Sequence, residues 1–391
     1  MNSRLISDPD ELLPYLKLWE NLADAAIEPN PFYEHWMFLP AMRNLRAGRD
    51  VRVLLVSSDG DSNVKDGQLC GVFPLERLNR YKGFPVSGWA FWRHAHCFLT
   101  TPLLRKECAS EALATLFDWL SSEGKPFGFL EWRYLAGDGS FHQLLIDELY
   151  QRGILPLISE WFTRPLFRPL DNAEQYFTAV LSGKHRKALR RRNELLSELG
   201  RVEFTPSDPS GDIEAWLAQF LRIEASGWKG KEGSALASRE GHRSFFLSAA
   251  KEALYRNRLL MPAILLEGKP IAQNCYFRAG RGVFHFKPAF DENYSRFSPG
   301  FHLECENIRY LHTVPEIEWL DSCTGPDNEM FNRLFRLRRT IQSLVIPGTG
   351  MGRLVVSGLP LLRLLKKSIA PIPKVSQRDM EVKDREGELV R

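Results

Sequence analysis

The sequence predicts an α+β protein made of two similar units in tandem, each a mixed, mostly antiparallel sheet flanked by helices. Helix-like and strand-like patterns run in one order in both halves of the chain: helix, helix, strand meander, helix, strand. At 391 residues the chain is long for a single hydrophobic core. A stretch with two prolines, EWFTRPLFRPLDNAEQ, separates the halves and cannot be one continuous helix. The expected units are residues 1–165 and 166–346, followed by an appendage and charged tail over 347–391.

The first half opens with DELLPYLKLWENLADAA, where Leu12, Tyr15, Leu16 and Trp19 recur at helical spacing, and FYEHWMFLPAM reads as a second helix. VRVLLVS and QLCGVFPLERL form a hairpin about the polar DGDSNVKDG. A strand around WAFWRH, the helix ECASEALATLFDWL, the strand FGFLEWRYL, the helix FHQLLIDELYQRG and the strand ILPLISEW complete the unit. The second half repeats the order. DIEAWLAQFLRIEASGW sets Ile213, Trp216, Leu217, Phe220 and Ile223 on one helical face, and HRSFFLSAAKEALYRN follows as a helix. LLMPAILLEGKPIAQNCYFRAGRGVFHFK reads as three strands with turns at EGKP and AGRG. The helix FHLECENIRYL and the strand EIEWLDS close it. Beyond Pro347, GRLVVSGLPLLRLLKK is apolar but broken by glycine and proline. It either packs on the body or docks on a membrane or partner, and the charged VSQRDMEVKDREGELVR is expected to be disordered.

Composition narrows the class. A net charge of +4 is ordinary for a soluble protein and argues little for nucleic acid. The N-terminus lacks a charged segment followed by an apolar run, and no stretch of about 18 apolar residues occurs. The six cysteines, Cys70, Cys97, Cys108, Cys275, Cys305 and Cys323, are scattered without a CxxC pair. No metal site is expected, and reduced thiols suit a cytoplasmic address.

One turn stands out chemically. VFHFK places Val283, His285 and Lys287 on one face of a strand and Phe284 and Phe286 on the other. The chain then loops to Pro299-Gly300, which opens a helix with Phe301, Cys305 and Ile308 on its buried stripe. Free N–H groups at that helix start, with Arg296 beside them, make a cradle for an anion such as a pyrophosphate. A capped helix whose Arg296 pairs with Asp291 is the other reading of the same residues.

Four blocks in order, GKHRKALRRRNELLSELGRVEF, EASGWKGKEGSA, FKPAFDENYSRFSPGFHL and EWLDSCTG, resemble the acetyltransferase-like domain of the BioF2-like and CelD group of the GNAT superfamily. The resemblance covers roughly Phe177 to Phe335, and the first half looks like the degenerate partner domain of FemAB-type tandem GNAT proteins. It implies an acyl-CoA donor, such as acetyl-CoA, bound at the turn by Arg296, Ser298, Gly300 and Phe301, although Gly300 falls one place late for the family's R/Q-x-x-G-x-G/A motif. The matching turn of the first half, CFLTTPLLRKECASEALATLF, has neither glycine nor a preceding arginine, so that unit is expected to bind no cofactor and to form one wall of the substrate cleft.

The activity so implied is N-acyl transfer to a small-molecule amine, an amino sugar or other envelope precursor in polysaccharide synthesis of the cellulose type. Such chemistry needs a neutral amine, a stabilised oxyanion and a proton for the thiolate. Asp321, at the end of IEWLD, is the first candidate base, and it equally reads as a turn acid. Glu224 and His285 are further proton carriers, and Tyr294 is a candidate acid for the thiolate. Trp228, Lys229 and Lys287 are candidate substrate contacts; a core aromatic and solvated lysines are the plainer reading. Where the family often carries a tyrosine-lysine pair, NEMFNRLF has Phe331 and Asn332. The run KHRKALRRR reads as a solvated helix face, a grip for the CoA 3′-phosphate, or a contact for RNA. FemAB-like enzymes take their acyl group from aminoacyl-tRNA, and the single short basic run makes tRNA the lesser donor here. A non-catalytic scaffold in a polysaccharide assembly is the remaining alternative.

Overall fold

In a computed structural model, which describes residues 1–58, 67–208 and 210–358, the strands of both halves join in one 14-stranded sheet. The first half comprises β1 (Asn2–Ile6), α1 (Leu16–Asp24), α2 (His35–Asn44), β2 (Val51–Ser57), β3 (Leu69–Leu78), β4 (Gly88–Phe91), β5 (Leu103–Leu104), α3 (Ala109–Ser121), β6 (Phe129–Ala136), α4 (Ser140–Gln151) and β7 (Leu157–Phe167). The second comprises α5 (Ala173–Val180), α6 (Gly183–Ser197), β8 (Val202–Thr205), α7 (Ile213–Ser226), α8 (Trp228–Lys231), α9 (Glu240–Tyr255) and β9 (Leu259–Leu260). It continues through β10 (Ala263–Leu266), β11 (Lys269–Ala279), β12 (Gly282–Phe290), α10 (Pro299–Leu311), β13 (Trp319–Asp321), α11 (Glu329–Leu334) and β14 (Leu337–Pro347). The expected α+β class and the repeated element order are both present. Residues 351–358 are helical, and the rest of the expected tail, like the hairpin turn at 59–66, lies outside the described residues.

The sheet order, β1-β2-β3-β4-β6-β14-β7-β13-β12-β11-β10-β8, shows that the units exchange strands. The last strand of the chain, β14, pairs antiparallel with β6 of the first unit and with β7. In turn β7 pairs with β13 of the second. The boundary expected at 165/166 therefore falls inside β7, which is one strand through Phe167 despite its proline. Pro165 lies opposite Arg338 in the β7–β14 ladder, where its missing N–H removes one possible ladder bond without ending the strand. Each unit also contains one short parallel pairing, β4 with β6 and β12 with β13, where neighbouring strands touch over two or three residues and then part.

Aromatic rings fasten the units together. Phe32 meets Phe284 with centroids 5.9 Å apart, and Trp36 meets Phe277 at 5.5 Å. α2 of the first unit packs along α9 of the second. Edge-on pairs of this kind add about 0.5–1.5 kcal/mol each beyond area burial. The seam is a single hydrophobic core that includes residues of both halves.

Candidate functional site

The short parallel pairing of β12 with β13 creates the site. β12 runs beside β13 only from Gly282 to Phe284, while β11 follows it to Phe290. The outer edge of its last residues is left without a strand, and a wedge opens there. Within β12 the register with β11 slips: Tyr276 lies opposite His285 and Cys275 opposite Lys287. Phe286 is the extra residue of a β-bulge.

The bulge corrects the simple alternation expected from VFHFK. His285 stays toward α11, its ring 5.1 Å from that of Tyr276 and 4.9 Å from Phe331. Phe286 turns to the opposite face, stacked on Phe246 at 6.0 Å. Lys287 joins it there, its Nζ 4.0 Å from Glu224 Oε1 on α7. Burial pushes the Lys287 ammonium down, and Glu224 restores part of that.

At the mouth of the wedge lies a cleft of about 330 Å³ lined by Glu224, Gly227, Phe290, Ser298, Gly300 and Met330 among others. Phe301 also borders it. A short 3₁₀ turn, Glu292–Phe297, leads into α10, and Ser298 takes the left-handed conformation (φ 53°, ψ 53°) uncommon outside glycine. Fewer donors face the cleft than a generic helix start offers. Pro299 has no N–H, and the Phe301 and His302 N–H groups donate to the Ser298 carbonyl at 3.0 and 3.1 Å. That leaves the Gly300 N–H as the donor of this first turn. A Cβ at Gly300 would meet only Phe290, at 3.7 Å, so the missing side chain serves the cleft rather than the protein's own packing.

Among the described residues, the predicted site residues divide. Ser298, Gly300, Phe301 and Glu224 border the cleft. Arg296 does not: it is exposed, with its guanidinium 4.5 Å from the Phe297 ring. Nor does it pair with Asp291, whose carboxylate accepts the Asn293 N–H. Tyr294 packs against the small apolar cluster of Leu196, Phe297 and Leu303. The side chains of Trp228 and Lys229 lie outside the described residues. Glu224 is buried, and its Oε2 accepts the Leu236 N–H at 2.8 Å, which leaves Oε1 toward Lys287.

Asp321 has a different place from the one a base needs. Fully buried, it accepts from Arg164 at 2.6 Å, from Arg339 at 3.0 Å and from the Cys323 N–H at 2.9 Å. Burial pushes its carboxyl up, and the two guanidiniums outweigh that, holding it below the ordinary carboxylate range. It knots β13, β7 and β14 together. A carboxylate so bound is poor at taking a proton.

The seam also gathers residues the sequence reading passed over. His96 Nε2 lies 3.1 Å from His242 Nδ1, and the His96 ring stacks on Phe245 at 5.6 Å. Burial, then Lys287 and His242, push His96 down to about 3, and burial holds His94 well below its usual value too. These imidazoles are neutral at physiological pH. The run WRHAHCF carried the signal, because its second histidine, His96, faces the bulge residue Phe286 with ring centroids 5.8 Å apart. Deeper under α10, Glu304 accepts from Tyr276 at 2.5 Å and Asn274 at 3.0 Å, and burial raises it to about 7.

No group of His, Cys, Asp or Glu among the described residues could hold a metal ion, and no helix there is long and apolar enough to cross a membrane. The basic run lies on α6, where only Leu189 of residues 184–192 is buried.

Comparison with known proteins agrees with this architecture. Residues 183–330 match the family model described as an acetyltransferase (GNAT) domain, and that span takes in the wedge. No curated protein matches the chain. The fold is shared with solved structures at low identity. FemX is 11% identical with a TM-score of 0.54, over 88% of this chain and 97% of its own. L-PGS from Bacillus licheniformis is 8% identical at 0.52, over 88% and 95%. A conserved protein of unknown function from Bacteroides thetaiotaomicron VPI-5482 is 11% identical at 0.52, over 85% and 97%.

Proposed function

Starting from a GNAT acetyltransferase domain that spans the wedge, we propose that the protein is an N-acyltransferase that moves an acetyl or longer acyl group from acyl-CoA to a small amine. The observation that carries this reading is the cleft itself. It opens where β12 loses its strand partner, and the residues expected at the pyrophosphate turn, Ser298, Gly300 and Phe301, border it. The acyl-CoA arm would lie along the free edge of β12 like an added strand, with its pyrophosphate at the Gly300 N–H. Arg296, exposed one turn earlier and outside the cleft lining, would meet only the outer phosphates.

Glu224 takes over the role first considered for Asp321. It borders the cleft as a buried carboxylate, with Lys287 Nζ 4.0 Å from its Oε1. In this mechanism the amine nitrogen attacks the thioester carbonyl, Glu224 receives the amine proton, and the C–S bond breaks as the tetrahedral intermediate collapses. The proton held by Glu224 is then available to the leaving thiolate. The peptide N–H groups at the Phe286 bulge are the candidates for binding the oxyanion. His96 and His242 meet at the seam beside the bulge, and their neutral imidazoles would contact a polar acceptor without adding charge.

Within the superfamily we place the chain with the BioF2-like and CelD group, on the four sequence blocks that resemble it. An amino sugar or similar precursor of a cell-envelope polysaccharide, acylated in the cytoplasm, is the acceptor class this favours. A second reading, transfer from aminoacyl-tRNA, is favoured by the exposed basic face of α6. Salt separates the two, because a tRNA donor loses affinity steeply as salt rises.

The test is thiol release from acetyl-CoA in the presence of an amino-sugar and polyamine panel. Turnover that Glu224→Gln reduces by ~10²-fold or more, with acetyl-CoA binding retained, is expected of a general base. Turnover indifferent to that change removes Glu224 from the mechanism, and absence of turnover with every acyl donor leaves the scaffold reading.

A further inference from the structure

The strand exchange builds a second cavity, far from the wedge. It measures about 620 Å³ and is bounded by Glu28 and Asp138 of the first unit, Trp319 at the start of β13, and Arg168, Arg338 and Arg339 around the exchanged strands. Trp319 pairs with Gly282, whereas the wedge cleft begins at Pro288. Six residues of strand separate them, about 20 Å at ~3.3 Å per residue. One small molecule cannot serve both.

Its polar groups are unevenly satisfied. Glu28 is only 8% exposed, and its Oε1 accepts the Phe141 N–H at the start of α4 at 2.8 Å. Its Oε2 has no hydrogen-bond partner. The nearest cation, Arg339 Nη2, is 3.9 Å away, beyond hydrogen-bond reach, and the Nη1 of that arginine is taken by Asp321. Gly139 permits the arrangement, since a Cβ there would stand 2.0 Å from Glu28 Oε1. Burial raises the Glu28 carboxyl, offset by the Phe141 bond and Arg339. A buried acceptor without a donor is costly, and a ligand N–H would relieve that cost.

The other side of the cavity is cationic. Arg338 is held by the Phe335 and Leu337 carbonyls through one nitrogen, and Arg168 is exposed at the rim. Arg339 lies over the Trp319 ring at 5.3 Å. One cavity thus presents a carboxylate oxygen lacking a donor, two arginines lacking carboxylate partners among the described residues, and an aromatic wall.

We propose that this cavity is a binding site for a small amino-acid-like zwitterion. Its ammonium would donate to Glu28 Oε2, and its carboxylate would lie against Arg168 and Arg338. Occupancy would supply the donor that Glu28 lacks and would brace the Glu28–Arg339–Asp321 connection through which the exchanged strands hold the units together. The site does not depend on the acyl-transfer reading.

The experiment is calorimetric titration and thermal unfolding of the full chain with glycine, L-serine, L-lysine and L-glutamate, using acetate and methylamine as half-ligand controls. At least one amino acid should bind and raise Tm, well ahead of either control. Glu28→Gln should weaken that binding about tenfold or more, the loss of one charge-assisted hydrogen bond. Arg168→Ala, a change at the exposed rim, should weaken it as well and decides the matter alone if Glu28→Gln does not fold. The proposal is overturned by absence of amino-acid binding at 10 mM or so, by acetate binding as tightly as glycine, or by binding that neither variant changes.

Discussion

Asp321→Asn separates a structural aspartate from a catalytic one. The change keeps the shape of the side chain and removes its charge, which leaves the Arg164 guanidinium, 1% exposed, without a full counter-charge and with the Phe98 carbonyl at 2.7 Å as its other hydrogen-bond partner among the described residues. Breaking a buried ion pair in this way costs about 3–5 kcal/mol. Arg339 is less buried and keeps Glu28 nearby, so it adds little to the loss. Urea unfolding followed by tryptophan fluorescence should show the midpoint falling by about 1–2 M at an unchanged slope of ~3 kcal/mol/M. Replacing both partners, Arg164→Met with Asp321→Leu, should recover part of the loss, because no buried guanidinium is then abandoned at position 164. The pH sense follows from the lowered carboxyl. Its contribution is complete above the ordinary aspartate value near ~3.9 and is lost as pH falls through the folded value, so the deficit of the variant shrinks in strong acid. A loss below about 1 kcal/mol, with activity abolished, would refute this reasoning and return Asp321 to the catalytic list.

Other expectations can be checked with the same preparations. His96, pushed down to about 3, binds fewer protons folded than unfolded between there and ~6.5, so stability should fall as pH drops below ~6.5. His96→Gln should flatten that limb by about 1.4 kcal/mol per pH unit, and an unchanged limb would contradict the burial argument. Phe286→Ala removes a ring packed against Phe246, Phe277 and Phe98, and denaturant curves should show a loss of about 3–5 kcal/mol. Gly300→Ala should leave the fold nearly intact, since its Cβ makes an ordinary contact with Phe290; unfolding of that variant would mean that Gly300 serves the backbone instead.

Elements with strong periodicity were legible in the sequence. α7, α9, α10 and the β11–β12 hairpin lie close to where hydrophobic spacing puts them. β1 left no signal because only Ile6 of its five residues is buried, so no alternation marks it. The strand exchange was illegible for a different reason. β14 closes the first unit through partners some 200 residues earlier, such as Ala136 opposite Ile341, and local pattern carries no information about such pairing. The turn at Ser298–Gly300 was found because proline and glycine punctuate it. The bulge was not, since nothing in VFHFK distinguishes Phe286 from its neighbours until β11 is laid beside it. Asp321 was correctly placed at a strand end, whereas its ion pairs were illegible, because Arg164 and Arg339 reach it from other strands.

The measurement closest to the central claim is calorimetric titration of the full chain with acetyl-CoA, with Gly300→Val alongside. A valine there projects into the wedge cleft from the one position of the turn whose missing side chain faces it. The native chain should show saturable 1:1 binding, and a Gly300→Val protein that unfolds at the same urea concentration should lose it. Undiminished binding in the variant would put the acyl donor elsewhere and contradict the claim that this cleft receives it.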